Sequence, residues 1–281
     1  MQAAVRQATE TLRAAGVASP EHDARALAVH LLGLHRPSDL LLVDDIDEAG
    51  YGELVRRRAA RVPLQHLTGS VGFRYLELEV GPGVFVPRPE TESVVQWAVD
   101  SVKDREAPLL VDLCTGSGTI AFALANEVPG ATVHAVERDP QALEWTRRNA
   151  RNRVAAGDPE VQLHLGSVEG CLPQLDGQVD LVASNPPYVA EDERHLPEPE
   201  VVDHDPEIAL FAGPDGLDVI RLVEQAARRL LKPGGLVVVE HSDRQGRTAP
   251  AVFCEAGGWA DVADHTDLTG RDRFVTARWS P

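Results

Sequence analysis

The stretch Leu109-Leu110-Val111-Asp112-Leu113-Cys114-Thr115-Gly116-Ser117-Gly118 joins an apolar run to a glycine-rich turn. The apolar run has the length and composition of a buried strand, and a helix is predicted after it over 120–127. Glycines between a strand and a helix let the backbone approach a ligand closely and leave helix N–H groups available to it. This stretch therefore predicts a βα unit with a ligand at its turn.

The alternation of strand and helix continues to the end of the chain. Three kinds of segment carry it: strands at 132–136, 161–165, 179–183 and 236–240, helices at 140–153 and 217–231, and a closing hairpin at 259–264 and 273–278. This order is typical of an open, mostly parallel sheet with helices on both faces. We therefore predict an α/β fold for the larger part of the chain, residues 88–281.

Two smaller segments precede the predicted sheet. Residues 1–66 are predicted to form a small helical domain, because apolar residues recur there at helical spacing. Residues 67–87 alternate in the manner of strands, and Gly81-Pro82-Gly83 is predicted as the turn of a β-hairpin. We expect this hairpin to link the helical domain to the larger domain.

The composition is that of an acidic globular protein. Of 281 residues, 43% are hydrophobic and 25% charged, and the net charge is −17. Residues 1–66 carry eight arginines against nine acidic residues, so nearly all of the excess negative charge lies in the remainder. Nucleic-acid binding depends on lysine and arginine displacing counterions. The charge therefore disfavours a direct nucleic-acid partner and favours a basic protein partner.

Several other classes of protein are disfavoured by what the sequence lacks. No apolar run reaches the roughly 18 residues that a membrane span needs, and the first residues lack the apolar stretch of a signal peptide. The three cysteines lie far apart, and the histidines show no metal-binding spacing. We expect a cytoplasmic protein with no membrane segment, no disulfide framework and no metal.

Glu137 is the second feature that points to a cofactor. It ends the predicted strand 132–136, roughly 20 residues after Gly116, where an acidic side chain can accept hydrogen bonds from both hydroxyls of a ribose. The turn and this glutamate together predict a nucleoside-bearing cofactor. Because Gly116-x-Gly118-x-x-Ala121 also satisfies a loose dinucleotide-binding pattern, these residues leave NAD and S-adenosylmethionine both open.

The motif Asn185-Pro186-Pro187-Tyr188 distinguishes between these cofactors. It follows the predicted strand 179–183, so it lies at the carboxyl edge of the sheet, where ligands of such folds bind. The two prolines remove backbone donors and leave the Asn185 side-chain oxygen and the Pro186 carbonyl as acceptors. Acceptors for both hydrogens of an –NH₂ group orient its nitrogen towards a methyl donor, and Tyr188 adds an aromatic wall. The motif therefore favours N-methylation by S-adenosylmethionine.

Three other functions compete with this interpretation. An N6-adenine nucleic-acid methyltransferase would use the same loop for a base amine, but residues 190–207 carry eight acids against Arg194 alone. A nicotinamide-dependent oxidoreductase would leave residues 185–188 without a role. A non-catalytic scaffold would bind neither cofactor.

Stretches spread over nearly the whole chain match one known family. They are Pro63-Leu64-Gln65-His66-Leu67-Thr68-Gly69, Pro87-Arg88-Pro89-Glu90-Thr91-Glu92, Asp112 to Gly118, Ser184 to Tyr188, Pro206 to Phe211 with Asp215-Gly216-Leu217, Leu231 to Gly235, Glu240-His241 and Asp267 to Arg273. On these residues the chain resembles the bacterial protein-(glutamine-N5) methyltransferases of class I peptide chain release factors. The resemblance implies a seven-stranded Rossmann-like class I methyltransferase domain with a small N-terminal helical domain and a linking β-hairpin.

The resemblance also implies a substrate and a set of site residues. The acceptor would be the glutamine of a Gly-Gly-Gln loop in a class I release factor. Because residues 1–66 form a separate domain joined by a hairpin, we hypothesise that they bind that factor outside the loop; the alternative is a packing appendage without a recognition role. The cofactor S-adenosylmethionine, which becomes S-adenosylhomocysteine, would be held by Cys114, Thr115, Gly116, Ser117, Gly118, Glu137, Ser167, Val168 and Asn185. The catalytic residues would be Asn185, Pro186 and Tyr188, and these with Pro187 would bind the glutamine amide. A monomer is expected.

Two positions depart from the pattern of the family. Cys114 stands where many relatives have glycine, which a small side chain should tolerate. Ser167 and Val168 stand where relatives often have an acidic and an aromatic residue near the adenine.

Overall fold

The computed structural model describes residues 1–196 and 198–281, and these residues form nine strands and ten α-helices. The strands are β1 (Ser70–Phe73), β2 (Leu76–Glu79), β3 (Leu109–Leu113), β4 (Thr132–Glu137), β5 (Gln162–Leu165), β6 (Val179–Ser184), β7 (Leu231–Glu240), β8 (Trp259–Thr266) and β9 (Asp272–Trp279). The helices are α1 (Gln2–Ala14), α2 (Pro20–Leu31), α3 (Glu48–Ala59), α4 (Leu64–Thr68), α5 (Thr91–Val102), α6 (Thr119–Glu127), α7 (Pro140–Ala155), α8 (Pro199–His204), α9 (Asp218–Leu230) and α10 (Thr248–Ala256).

Strands β3 to β9 form one seven-stranded sheet in the order β5-β4-β3-β6-β7-β9-β8. The first five strands in this order are parallel, and β9 runs antiparallel to both β7 and β8. The direction of winding reverses between β3 and β6, and ligands of open α/β sheets bind at such a reversal. The predicted α/β fold with a closing hairpin is confirmed.

The central strands are apolar on both faces because helices cover both faces. Leu110 and Leu181 pack into one cluster with α5 and α6, while their chain neighbours Val111 and Val182 pack into the other with α9 and α10. Successive side chains of a strand point to opposite faces, so a strand that is buried on both faces reads as a continuous apolar run. This explains why the sequence predicted these strands well.

The small hairpin is formed by β1 and β2 and turns earlier than predicted. The prediction of a hairpin turn at 81–83 is wrong, and so is the second strand that it implied at 84–86. Phe73 and Leu76 are both buried although they lie three residues apart, so the period-two pattern breaks between them. Arg74 occupies this break with a φ of +50° and donates to Glu127 at 2.6 Å. The turn at residues 74 and 75 contains no glycine, and an ion pair to a residue far away in the sequence holds Arg74 there.

The chain divides into two compact units. The first comprises Met1–Ser70 and Val80–Pro82 together with α8, and the second contains the seven-stranded sheet. In the first unit, α1, α2 and α3 pack around Leu12, Leu27 and other apolar side chains. No helix in the described part of the chain has the length and apolar character that a membrane span requires.

Helix α8 is held in the first unit by a buried ion cluster. Arg58 donates to Asp23 at 2.7 Å and to Glu200 at 2.8 Å, and Arg61 donates to the other Glu200 oxygen at 2.5 Å. Desolvation works against the charge of Glu200, but the two arginines outweigh it and hold its pKa below the usual range. A short acidic segment is thereby attached to arginines that lie far away in the sequence.

Two elements near the carboxyl terminus also differ from the prediction. The helix α9 ends at Leu230, and β7 begins directly at Leu231 with a register shift before Leu236. Helix α10 was not predicted because Pro250 interrupts its pattern. Proline is tolerated there because it lies in the first turn, where its missing N–H has no helical partner.

Candidate active site

The glycine-rich turn after β3 has the backbone geometry that a close ligand requires. Cys114, Gly116 and Gly118 have φ values of +63°, +56° and +91°. A Cβ on Gly118 would lie 2.1 Å from the Phe122 ring, whereas a Cβ on Gly116 would meet no atom within 4 Å. Packing therefore requires glycine at 118, while glycine at 116 leaves the backbone open to a ligand.

Asp112 lies fully buried beneath this turn. Its Oδ2 accepts hydrogen bonds from the Thr115 hydroxyl at 2.5 Å and from the Ala121 amide at 3.1 Å, while Oδ1 has no partner. Burial raises the pKa of Asp112 to about 7 against the opposing effect of the two hydrogen bonds. A buried acceptor without a donor is costly, so the turn fits a ligand that brings an N–H or a positive charge.

Glu137 ends β4 and is tied to the same turn. Its Oε2 accepts from the Gly116 amide at 2.9 Å, and its Oε1 accepts from the Asp139 amide at 2.8 Å. Each carboxylate oxygen can accept a second hydrogen bond, so both can still serve ribose hydroxyls. The side chain also fixes the turn, a role that the sequence did not reveal.

Helix α7 holds the turn from behind through two buried polar side chains. The Thr146 hydroxyl donates to the Gly116 carbonyl at 2.6 Å, and the Asn149 amide donates to the Ser117 carbonyl at 2.9 Å. Sequence reasoning missed both residues. The signal available was that they occupy the buried, otherwise apolar face of a predicted helix.

The predicted adenine contacts follow β5 at the same edge of the sheet. Leu165 is the register partner of Glu137, and the next residue, Gly166, donates to the Glu137 carbonyl at 2.8 Å. Val168 is buried in the apolar cluster beside Leu172, whereas Ser167 is exposed. The structure therefore brings this segment close to Glu137.

The loop Asn185-Pro186-Pro187-Tyr188 begins directly after β6. Leu113 and Ser184 are register partners, and the Ser184 hydroxyl donates to the Leu113 carbonyl at 2.7 Å. Since β3 and β6 are adjacent and parallel, the glycine-rich turn and this loop leave the sheet side by side. The two motifs that the sequence singled out meet at one place.

Both ends of the loop are held by buried polar groups. Asn185 Nδ2 donates to the Thr91 hydroxyl at 3.2 Å, and the Tyr188 hydroxyl donates to Glu240 Oε1 at 3.3 Å. The prolines between them are buried. The donor end of the Asn185 carboxamide is thereby engaged, and its oxygen is the end suited to accept from a substrate amide.

Burial determines the protonation of these groups. It raises the pKa of the Tyr188 hydroxyl, which therefore stays protonated and donates. Burial also raises the pKa of Glu240 to about 7, although the hydroxyls of Thr91 and Tyr188 and the charge of Arg273 lower it. The Tyr188 end of the loop is thus hydrogen-bonded to a carboxyl group that titrates near neutral pH.

The carbonyl side of the loop is braced by residues to which the sequence analysis assigned no role. Gln245 Nε2 donates to the Tyr188 carbonyl at 3.1 Å, and the Val189 amide donates to the Leu210 carbonyl at 2.8 Å. Gly216 has a φ of +70°, and a Cβ there would lie 2.3 Å from the Tyr188 carbonyl oxygen. These contacts fix where the loop backbone runs.

The segment 87–92 makes two further polar contacts. Arg88 donates to Asp205 at 2.9 Å, and burial raises the pKa of Asp205 to about 6 in spite of this arginine. Glu92 accepts from the Arg74 amide at 3.1 Å.

Among the residues described, no cluster of histidine, cysteine, aspartate or glutamate could hold a metal ion.

Comparison with known proteins finds a separate family model for each of two parts of the chain. Residues 107–267 match the family model of a methyltransferase domain, and residues 3–69 match that of the PrmC N-terminal domain. The release factor glutamine methyltransferase of Streptomyces coelicolor is 58% identical over 279 residues, which cover 98% of this chain and 97% of that protein. The chain belongs to the release factor glutamine methyltransferase family.

Other comparisons agree with this family. The release factor glutamine methyltransferase of Mycolicibacterium smegmatis is 50% identical over 280 residues, covering 99% of this chain and 97% of that protein. The crystal structure of a methyltransferase from Pyrococcus furiosus aligns with a TM-score of 0.53 and 17% identity, over 73% of this chain and 90% of that chain. The latter shows the shared fold alone. The resemblance seen in the motifs is confirmed, and the roles of individual residues in this family member stay predictions.

Proposed function

We propose that this chain transfers a methyl group from S-adenosylmethionine to the side-chain amide nitrogen, N5, of the glutamine in the Gly-Gly-Gln loop of class I peptide chain release factors. The observation that carries the chemistry is the register pairing of Leu113 with Ser184. It sets the cofactor turn and the acceptor loop next to each other at the switch point of the sheet. Membership of the family supports glutamine as the acceptor.

The proposed cofactor residues surround the turn after β3. They are Cys114, Thr115, Gly116, Ser117, Gly118, Glu137, Ser167, Val168 and Asn185. S-adenosylmethionine supplies an electrophilic methyl group on a sulfonium centre. The open backbone at Gly116 and the unpartnered Oδ1 of Asp112 fit a ligand that carries both hydroxyl and ammonium groups.

The acceptor loop makes the amide nitrogen reactive by orienting it. An amide nitrogen is a poor nucleophile because its lone pair is delocalised into the carbonyl group. Acceptance of its two hydrogens by Asn185 Oδ1 and the Pro186 carbonyl turns the nitrogen towards the methyl donor, with Pro187 and Tyr188 as walls. Such alignment can supply roughly 7–11 kcal/mol. No strong base is needed before attack, because the nitrogen loses its proton once the new C–N bond forms.

The proposed partner is a release factor bound by the whole chain. We assign residues 1–66 to gripping the factor outside its Gly-Gly-Gln loop, residues 67–87 to linking, and residues 88–281 to catalysis. A monomer suffices, because one chain contributes every proposed site residue. Since release factors act at the ribosome, the reaction belongs in the cytoplasm.

A transfer assay with two acceptors tests the proposed function. The protein is incubated with S-adenosylmethionine labelled in its methyl group and either a release factor or an adenine-containing nucleic acid. Label is expected in the release factor, and Asn185→Ala should abolish it. Label in adenine instead would favour an N6-adenine methyltransferase. The acidic segment 190–207 argues against that outcome, since Arg194 already stacks over Phe211 and pairs with Glu207 at 2.8 Å.

A further inference from the structure

The turn between β8 and β9 presents a leucine to solvent, since Leu268 at its tip is 98% exposed. Exposure of a leucine to water is unfavourable, and a flexible turn would fold it back onto apolar surface. The hydrogen bonds of Asp267 oppose that movement. Its carboxylate accepts from the Thr269 amide at 2.8 Å and from Arg273 Nε at 3.2 Å, and its own amide donates to the Arg271 carbonyl at 2.8 Å. The shape of the turn is therefore fixed with the leucine pointing outwards.

This turn lies at the same edge of the sheet as the acceptor loop 185–188. Strand β9 runs antiparallel to β7, and Glu240 at the end of β7 is the register partner of Phe274. The next amide, that of His241, donates to the Arg273 carbonyl at 2.8 Å. Glu240 also accepts from the Tyr188 hydroxyl at 3.3 Å. Because adjacent strands are about 4.8 Å apart, the turn lies roughly 10–15 Å from the acceptor loop.

Other exposed apolar side chains of the second unit lie at this edge as well. Leu165 ends β5 there, and Leu196 and Ile208 belong to the connection from β6 to α9, which begins and ends at the carboxyl edge. Tyr75 and Val154 do not lie there, because they are near the ends of α6 and α7, helices that run back to the opposite edge. Apolar exposure in this unit is therefore greatest around the site.

The charge at this edge is acidic. The connection from β6 to α9 begins with Glu191 and Asp192, both exposed, while Arg271 and Asp272 in the turn offset each other. A protein loop that acts among the RNA phosphates of the ribosome is expected to be basic, because lysine and arginine neutralise those phosphates. Apolar side chains next to acidic groups therefore complement a basic protein loop with an apolar residue in it.

We propose that Leu268 is a docking point for the release factor, and that it binds residues flanking the Gly-Gly-Gln loop. This inference rests on the proposed function and adds to it a surface that holds the acceptor protein. With the glutamine at Asn185, an extended chain advances about 3.3 Å per residue, so roughly three to five residues reach the turn. Burial of a leucine on a turn of fixed shape adds affinity without the entropic cost of ordering a loop.

The test compares two substitutions of Leu268 that differ in charge. Leu268→Glu and Leu268→Lys both remove the apolar contact, so each should raise the KM for a release factor about tenfold or more. The value of kcat at saturating release factor and the affinity for S-adenosylhomocysteine should stay near those of the wild type, because the turn touches neither reacting group. The melting temperature should not change, because the side chain is exposed.

Tyr75→Glu is the matched control. Tyr75 is 77% exposed and lies in the turn between β1 and β2, at the opposite edge of the sheet. Its substitution removes an exposed apolar side chain from a hairpin turn, yet it should leave the KM for the release factor unchanged. An unchanged KM in both Leu268 variants would overturn the inference. A KM that falls with glutamate and rises with lysine would also overturn it, because charge alone would then act at this position.

A binding titration keeps this inference separate from the proposed function. The wild type and both Leu268 variants are titrated with a release factor in the presence of S-adenosylhomocysteine. A wild type that binds the release factor more tightly than both variants, yet methylates no glutamine, would refute only the proposed function. Methylation by all three with equal affinity would refute only the docking point. A dimer that dissociates on substitution of Leu268, with unchanged binding of the release factor, would assign the turn to a second copy of this chain and overturn the inference.

Discussion

Asn185 and Tyr188 stand at the two ends of a loop whose central residues cannot donate a backbone hydrogen bond. The missing backbone N–H groups make the loop selective, because a pocket that contains only acceptors binds an –NH₂ group and repels a carbonyl group. The sequence was sufficient to predict this chemistry, since it depends on residue types that are adjacent in the chain. It could not reveal that Thr91 and Glu240 support the loop, because the structure brings them from two other elements.

From the raised pKa of Glu240 we predict how activity depends on pH. Its pKa is raised to about 7 by burial and by Glu90, against the effects of Thr91, Arg273 and Tyr188. The ionised carboxylate is the stronger acceptor for the Tyr188 hydroxyl, so kcat/KM should rise as pH increases through about 7. Below the midpoint the loss should approach about tenfold per pH unit.

Steady-state rates of wild type and Glu240→Gln between about pH 6 and pH 8 check this dependence. Glutamine cannot ionise, so the step near neutral pH should vanish and the rate should stay below that of the wild type at high pH. If the wild-type profile is flat, or if the step persists in Glu240→Gln, another group controls the ionisation.

At the scale of the element, β3 and β6 matter because their neighbouring ends carry the two motifs. The sequence predicted both strands because each is buried on both faces and reads as a continuous apolar run. It predicted the hairpin turn wrongly, because the turn is set by the contact of Arg74 with Glu127 rather than by glycine. It also missed α8, whose buried Glu200 depends on arginines that lie about 140 residues earlier. Local patterns predict local elements, and long-range ion pairs leave no such pattern.

Two glycines with similar backbone conformations allow the bracing of the loop to be tested. Gly216 and Gly234 have φ values of +70° and +81°, but only Gly216 lies against the loop, with the Tyr188 carbonyl oxygen 2.3 Å from a Cβ position. Gly216→Ala should displace that carbonyl and lower kcat about 10- to 100-fold. Gly234→Ala meets no atom within 4 Å and should keep kcat near wild type.

Urea unfolding and methyl-transfer rates of the two variants provide the measurement. Gly234→Ala should lower the free energy of unfolding by roughly 1–2 kcal/mol, because alanine is strained in the left-handed region. Gly216→Ala should lower it further, because its Cβ also collides with the Tyr188 carbonyl oxygen. Equal rates in the two variants would show that the contact of Gly216 with the loop has no bearing on catalysis.

At the scale of the whole molecule, the distribution of charge and of exposed apolar side chains suggests how a release factor is held. The net charge of −17 suits a basic partner. In the first compact unit, Leu41 and Leu42 are 74% and 86% exposed, which is unusual for adjacent leucines on a soluble surface. We predict that they contribute to the proposed grip of residues 1–66 on the release factor.

The double substitution Leu41→Glu with Leu42→Glu tests this contribution. It should weaken binding of a release factor by about tenfold or more, measured by titration in the presence of S-adenosylhomocysteine, whose own affinity should not change. Val154→Glu on α7, at a position that is 50% exposed, serves as the control and should leave binding unchanged. Unchanged binding in the double variant would show that Leu41 and Leu42 do not contribute to binding of the release factor.

The most direct test of the account is to locate the methyl group on its acceptor. A purified release factor is incubated with the protein and S-adenosylmethionine, digested, and analysed by tandem mass spectrometry. We predict one added methyl group on the side-chain amide of the Gly-Gly-Gln glutamine, and none with Asn185→Ala. A methyl group on any other atom of the release factor, or undiminished methylation by Asn185→Ala, would contradict the claim that the loop 185–188 offers a glutamine amide to the methyl donor.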